Sequence, residues 1–308
     1  MSRCVVFAYN NVGYRCLSVL LNQGVTIPLV VTHQDNPDEE IWFESVADLA
    51  ARHDIPIITP EDPNVPEVLS RVREADPDFL FSFYYRKMLK KDLLATPRKG
   101  ALNMHGSLLP RYRGRVPVNW AIIHGEKETG ASLHYMELKP DAGALVDQQA
   151  VPILQDDTAL EVFNKVTVAA ELVLHRSLPL LLAGNAPHIP LDLKKGSYFG
   201  GRCPEDGRID WHASTEQIHN LIRAVAPPFP GAFTTCSGQV IRFLQSRIVS
   251  QKSRYPDLAP CFYRENDKFY VDCLDGFRLH IISYDFGSSA HAPEISRDAQ
   301  PVKLGETP

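Results

Sequence analysis

A doubly wound α/β sheet followed by a small β-barrel is the architecture that this 308-residue sequence predicts. Three observations carry it. Short, nearly all-apolar runs at Cys4–Tyr9, Ile27–Thr32 and Asp78–Phe83 have the texture of parallel strands buried on both faces. Between them lie segments with apolar residues at helical spacing, and such alternation builds a Rossmann-like, mostly parallel sheet. After Gly184 the texture turns to loops and many short strands, which suits a small barrel. The length exceeds one ordinary domain and suits two. The predicted division is an α/β domain over 1–190, a linker over 191–205 and a barrel with its tail over 206–308.

In chain order, a turn at Asn10–Gly13 is expected to lead into a helix through Leu17, Leu20 and Leu21. Helices are expected over Ile41–His53 and Val65–Glu74, with a strand at Ile55–Ile58 between them, and two strands over 129–152 around a turn at Pro140–Gly143. Thr158-Ala-Leu-Glu161 reads as a capping box opening a long helix. Its apolar residues Leu160, Phe163, Val166, Ala170, Val173 and Leu174 are core by spacing. Gly196–Gly207 is loop-rich and reads as the connection. A helix over Thr215–Ala226 stops at Pro227-Pro228, and strands follow at Gly231–Thr235, Val240–Val249, Lys268–Cys273 and Phe277–Tyr284. From Gly287 the composition predicts a loosely held tail.

Composition excludes several classes of function. The chain is 44% apolar and 22% charged with net charge −5, so it has no global attraction for nucleic acid or anionic lipid. No run reaches the length of a membrane span. The N-terminus enters a strand-like run without a signal-peptide pattern, which predicts a cytoplasmic protein. The six cysteines show no Cys-x-x-Cys spacing, so neither a zinc site nor a disulfide framework is expected. The first turn lacks Gly-x-Gly-x-x-Gly and no phosphate loop is present, which argues against dinucleotide and nucleoside-triphosphate sites.

The chemistry concentrates in Ala101-Leu-Asn-Met-His-Gly-Ser-Leu-Leu-Pro110 and the Arg111–Trp120 stretch after it. In an extended segment Asn103 and His105 share a face, with Cα atoms roughly 6–7 Å apart, while Met104 points the other way. That puts a neutral hydrogen-bond donor beside a group that titrates near neutrality. A histidine at a strand end is by itself most often structural. Here, though, the flank is too irregular for a helix, and Lys139-Pro-Asp-Ala-Gly143 could supply a carboxylate. In a doubly wound sheet ligands bind beyond the carboxyl ends of strands, where Tyr9–Asn11, Tyr84–Leu89 and Asn103–Ser107 all fall.

Asn103-x-His-x-Ser followed by Leu109-Pro-Arg-Tyr-Arg-Gly114, with the later Asp141-Ala-Gly143, resembles the signature of the folate-dependent formyltransferases. Residues 1 to about 182 read like their formyl-transfer domain, and those from about 191 like the C-terminal domain that some members carry. Val5–Tyr9, Thr32–Pro37 and Phe81–Arg86 are similar to the UDP-4-amino-4-deoxy-L-arabinose formyltransferases, some of which continue into a second enzyme domain. The resemblance implies an oligonucleotide/oligosaccharide-binding (OB)-like barrel and 10-formyltetrahydrofolate as co-substrate. It implies catalytic roles for Asn103, His105 and Asp141 without a metal, and a cis peptide at Leu109-Pro110. It implies folate contacts at Lys87, Met88, Leu89, Arg115, Glu137, Leu138, Lys139, Pro140 and Asp141. Tyr9, Arg113 and Arg202 are candidate contacts to a sugar-nucleotide acceptor.

Formyl transfer to an amine passes through an oxyanion that a fixed donor such as Asn103 can hold. His105 can move the proton, and a carboxylate at Asp141 favours the imidazolium and fixes its tautomer. The tRNA formyltransferases of the same family grip a polyanion, which takes clustered cations. Here the stretch from His33 to Glu44 holds Asp35, Asp38, Glu39, Glu40 and Glu44 without one Lys or Arg. Residues 191–308 carry 14 Lys+Arg against 14 Asp+Glu, a net of zero. Charge therefore favours the sugar nucleotide over methionyl-tRNA. Two further readings rank below these: hydrolysis to formate, which needs the same three residues, and non-catalytic folate binding, which an intact set of them disfavours.

Overall fold

The computed structural model describes residues 2–37, 39–287 and 300–305. Along the chain run β1 (Arg3–Ala8), α1 (Asn10–Asn22), β2 (Thr26–Val31), α2 (Val46–Arg52), β3 (Ile57–Ile58), α3 (Pro66–Glu74), β4 (Phe79–Phe83), α4 (Lys91–Leu94) and β5 (Gly100–His105). Then come β6 (Arg113–Gly114), α5 (Pro117–Ile123), β7 (Glu128–Tyr135), β8 (Leu145–Pro152), α6 (Ala159–Leu182) and β9 (Tyr198–Phe199). The last elements are α7 (Thr215–Ala224), β10 (Ala232–Cys236), β11 (Gln239–Lys252), β12 (Cys261–Glu265), β13 (Lys268–Asp272), β14 (Phe277–Asp285) and β15 (Val302–Lys303). They form two compact units. The first holds the chain up to Pro117, Glu128–Pro152 and Phe163–Gly200; the second holds Val118–Lys127, Ile153–Val162 and the chain from Gly201 on.

The first unit is built on a seven-stranded sheet of order β3-β2-β1-β4-β5-β7-β8. Pairings from β3 through β5 are parallel, whereas β5–β7 and β7–β8 are antiparallel. This is the expected Rossmann-like, mostly parallel sheet. The central strands have no solvent face: Val5, Val6, Phe7, Leu80, Phe81 and Phe83 are fully buried. Burying each such side chain contributes roughly 1.5–3 kcal/mol. α6 turns Phe163, Val166, Ala170, Val173 and Leu174 inward as its spacing requires. Thr158 and Glu161 form the expected reciprocal cap, with the Thr158 N–H donating to Glu161 Oε2 at 2.6 Å.

The second unit carries a six-stranded antiparallel sheet of order β10-β11-β14-β13-β12-β15. A bridge between Cys236 and Leu304 links its two ends, so the sheet curls into a nearly closed barrel. Phe243, Phe262, Ile241, Leu279 and Ile281 fill it, and Ile218 and Ile222 of α7 pack on the same core.

Several expected bounds shift. Asn10–Gly13 is the first turn of α1 rather than a separate turn, because the extended Tyr9 already acts as its N-cap. Ile41–Ser45 is not helical: Trp42 and Phe43 pack edge-on against Phe163 and Tyr9, and the helix starts only where Ser45 caps the Asp48 N–H. Tyr198–Phe199, read as connection, pairs in parallel with Arg113–Gly114. β12 was not anticipated. Within the expected loose tail, Val302–Lys303 pairs with β12, and Leu304 is buried in the barrel core. Residues 288–299 and 306–308, where the rest of that expectation falls, lie outside the described residues. No helix among the described residues is long and apolar enough to cross a membrane.

Candidate active site

β5 changes the sheet from parallel to antiparallel, and it carries the two central residues. Asn103 sits opposite Ser82 on β4 and opposite His134 on β7, and His105 sits opposite Ser132. Met104 is turned away and buried. Asn103 and His105 therefore share a face, as alternation requires. Both reach one carboxylate oxygen, Asp141 Oδ1, which lies 3.4 Å from Asn103 Nδ2 and 3.6 Å from His105 Nδ1. Asp141 comes from the turn after β7, in a left-handed conformation with φ 50°. Its other oxygen accepts the Gly114 N–H at 2.9 Å.

A second histidine completes the group. His134 Nε2 lies 3.2 Å from Asn103 Nδ2 and 3.5 Å from Asp141 Oδ1. Backbone carbonyls select both tautomers, since a carbonyl only accepts. His105 Nε2 donates to the Tyr112 C=O and His134 Nδ1 to the Tyr135 C=O, each at 2.8 Å. The nitrogens left over, His105 Nδ1 and His134 Nε2, both face Asp141. His134 could not be singled out from the sequence, because only the antiparallel register sets it opposite Asn103. The alternation within the first of the two strands expected over 129–152 was the one available signal.

Burial pushes the Asp141 carboxyl up. The charge of His105, the hydrogen bond and charge of His134 and the Gly114 N–H more than offset this and hold it well below the usual carboxylate range. A depressed native pKa contributes stability that is complete above the unfolded value of about 3.9 and fades as pH falls toward the native one. The wild-type urea midpoint should therefore drop more steeply between about pH 4 and pH 2 than that of Asp141→Asn. Equal slopes would show that Asp141 is not held in this way.

A polar lattice fixes the loop after His105. Ser132 Oγ donates to the Ser107 C=O at 2.6 Å and accepts the Leu109 N–H at 3.1 Å, and Gln148 Nε2 bonds both Ser132 Oγ and the Leu109 C=O. The Leu109–Pro110 peptide is cis, as expected. Gly106 leaves no room for a side chain: a Cβ there would lie 1.8 Å from the Tyr84 hydroxyl.

The remaining predicted residues divide. Leu89 is buried in one apolar cluster with Ala101, against which Met136 packs, so the segments after β4 and β7 meet beside β5. Lys87, Met88, Arg115, Glu137, Leu138 and Lys139 are exposed, and Pro140 and Asp141 are half-buried. Tyr9 is buried and engaged, donating to Asp35 at 2.7 Å beneath the Arg86 guanidinium. Arg113 is only 8% exposed, its Nε has no hydrogen-bond partner, and its guanidinium lies 5.9 Å from the Tyr198 ring. Arg202 belongs to the second unit, donating to the Asp206 C=O at 2.7 Å and stacking over Trp120. No group of three or more His, Cys, Asp or Glu among the described residues is placed to hold a metal ion.

Solved structures share this fold. An N-formyltransferase from Helicobacter canadensis, in complex with folinic acid and dTDP-3-aminofucose, superposes with a TM-score of 0.70 at 20% identity, covering 91% of this chain and 98% of its own. A sugar N-formyltransferase from a Shewanella species gives 0.62 at 21% identity, covering 76% and 92%. HypX from Aquifex aeolicus in complex with tetrahydrofolic acid gives 0.63 at 16% identity, covering 92% of this chain but 44% of that one. At such identities the likeness establishes the fold. The formyl transferase domain profile matches residues 15–178, more than half of the chain, and the formyl transferase C-terminal domain profile matches residues 203–290. The chain therefore belongs to the formyl transferase family and is an enzyme of that class.

Proposed function

We propose that the enzyme transfers the formyl group of 10-formyltetrahydrofolate to the amine of a sugar nucleotide, UDP-4-amino-4-deoxy-L-arabinose. The observation that carries this reading is the convergence of Asn103 and His105 on one carboxylate oxygen of Asp141. The amine attacks the formyl carbon, a C–N bond forms, and the carbonyl oxygen becomes an oxyanion. Asn103 Nδ2 donates to it by exchanging its long 3.4 Å contact with Asp141. His105 Nε2 already donates to Tyr112, so the proton from the attacking amine arrives at Nδ1, and ionised Asp141 stabilises the imidazolium. The same proton then goes to N10 as the C–N10 bond breaks, releasing tetrahydrofolate.

The folate is assigned to Lys87–Leu89, Arg115 and Glu137–Asp141, with the Leu89 and Met136 cluster as apolar support. The relatives in complex with folinic acid and tetrahydrofolic acid support a folate co-substrate, and the one with dTDP-3-aminofucose supports a sugar-nucleotide acceptor. Arg113, a buried guanidinium with no carboxylate partner among the described residues, suits a diphosphate, and Tyr9 and Arg202 are further candidate contacts. Charge disfavours tRNA. Asp35 and Glu39 are exposed, and Glu39 neutralises the nearby Arg86 at 2.8 Å.

The decisive experiment incubates the protein and 10-formyltetrahydrofolate with each acceptor. A protein that grips Z phosphates loses affinity with a log-log salt slope near −0.9Z on duplex. Binding to initiator Met-tRNA should be weak even at low salt, whereas the UDP-sugar should show a shallow salt dependence and yield formylated product. Submicromolar tRNA binding with a steep slope would transfer the assignment to methionyl-tRNA.

A further inference from the structure

α7 carries two faces. Ile218 and Ile222 pack on the barrel core, whereas Glu216, His219, Asn220 and Arg223 recur at three- and four-residue spacing as a second, polar stripe. This stripe, residues 126–127, residues 153–155 and Ile248 line a cavity of about 340 Å³. The lining belongs wholly to the second unit, whereas Asn103, His105 and Asp141 belong to the first. A water takes up about 30 Å³ in the liquid, so the space suits a small polyatomic ligand with water around it.

Three members of the stripe are buried: His219 is 1%, Asn220 4% and Arg223 5% exposed. His219 is neutral. Its Nε2 donates to the Gln155 C=O at 3.0 Å, and its Nδ1 accepts the Ser246 hydroxyl at 2.9 Å. Burial, joined by the Arg223 charge, lowers its pKa, and Asp156 Oδ1 at 3.7 Å does not offset this. Arg223 is thus the buried cation of the cavity wall. Its Nε donates to Asn220 Oδ1 at 2.9 Å, and its Nη1 donates to the C=O of Asp157 at 2.9 Å and of Leu154 at 3.2 Å. All three acceptors are neutral. The nearby carboxylates are engaged in other bonds: Asp156 pairs with Arg247 at 3.5 Å, Glu216 with Lys127 at 3.6 Å, and Asp157 Oδ2 accepts the Leu154 N–H at 2.6 Å. Burial outweighs the charges of Asp157, Asp156 and Glu216 and lowers the Arg223 pKa. A buried charge held chiefly by dipoles is costly until a counter-charge reaches it.

We propose that this cavity binds a small oxyanion, the phosphate or carboxylate group of a ligand, on the Arg223 Nη2 and Asn220 Nδ2 donors. Those donors take no part in the bonds above and belong to residues that line the cavity. A planar guanidinium matches either group, and charge-assisted bonds to it are the strong kind. With Nε and Nη1 already fixed, the remaining edge of Arg223 is preset, so binding orders little that is not ordered beforehand.

The test follows the urea midpoint of the full chain while inorganic phosphate, and separately acetate, replaces chloride at constant ionic strength. A ligand that binds only the folded protein raises the midpoint. Phosphate also raises midpoints without binding, because it is excluded from protein surfaces, so Asn220→Asp supplies the reference. That substitution keeps the shape and the bond from Arg223 Nε but sets a carboxylate against the guanidinium. Without phosphate the variant should be at least as stable as the wild type, and its affinity for phosphate should fall at least about tenfold. A wild-type response to phosphate alone assigns a phosphate-bearing ligand; a response to both anions assigns a general oxyanion site. Phosphate held at Arg113 in the first unit would stabilise both proteins alike. Equal responses in the two proteins would therefore overturn the proposal. A variant midpoint well below that of the wild type would overturn it too, since Arg223 would then need no counter-charge.

Discussion

Asn103→Ala and His105→Ala are each expected to lower turnover at least about a hundredfold while the protein stays folded. For Asn103 the magnitude follows from removing one preorganised donor to an oxyanion, about 3–4 kcal/mol of barrier. For His105 it follows from losing proton transfer in the transition state, roughly 10²–10⁴ in rate. Both side chains are polar and engage their surroundings through hydrogen bonds at the end of β5, so truncation should leave the sheet intact. Single-turnover rates at saturating co-substrate, with a thermal melt as control, would read both. A variant with a near-normal rate would remove that residue from the mechanism.

Gly114→Ala is expected to damage stability and turnover together. Gly114 has φ 99°, which a side chain rarely tolerates, and an added Cβ would lie 2.1 Å from the Phe199 carbonyl oxygen. That oxygen is main chain in the β6–β9 pair, so no rotamer change relieves the contact. Strain and clash together should cost on the order of 3 kcal/mol, read as a lowered urea midpoint. The Gly114 N–H is also the donor that holds Asp141 Oδ2. Displacing it should lower turnover at least about tenfold beyond any loss of folded protein. Wild-type stability would show that the β6–β9 contact is loose.

The sequence made these residues visible for different reasons. The shared face of Asn103 and His105 was legible from alternation alone, since period-two geometry needs no tertiary information, whereas their roles came from the resemblance. Asp141 was legible as a turn residue, and its meeting with His105 required the resemblance. Gly114 belonged to the motif, but what it touches depends on Phe199, which lies far along the chain. The same limit hid His134, because an antiparallel register is a relation between strands. Fully apolar strands such as β1 and β4 announced themselves, whereas Val302–Lys303 in a polar stretch did not. Ile41–Ser45 looked helical by composition, but Trp42 and Phe43 find aromatic partners in a loop, and tertiary packing overrides weak helix propensity.

Three of the four groups around the Asp141 carboxylate, Asn103, His105 and His134, ride on two adjacent strands whose pairing is fixed by main-chain bonds. A slip of one residue between β5 and β7 would swap which face of one strand meets the other, breaking the alignment in a single step. Intermediate alignments do not exist, because the pleat has only two faces. The pairing therefore works like a vernier: the chemistry is either in register or absent, and the ordering of these groups is complete once the sheet has formed. Loops that carry neither Asp141 nor Gly114 can vary in length and charge without detuning that alignment.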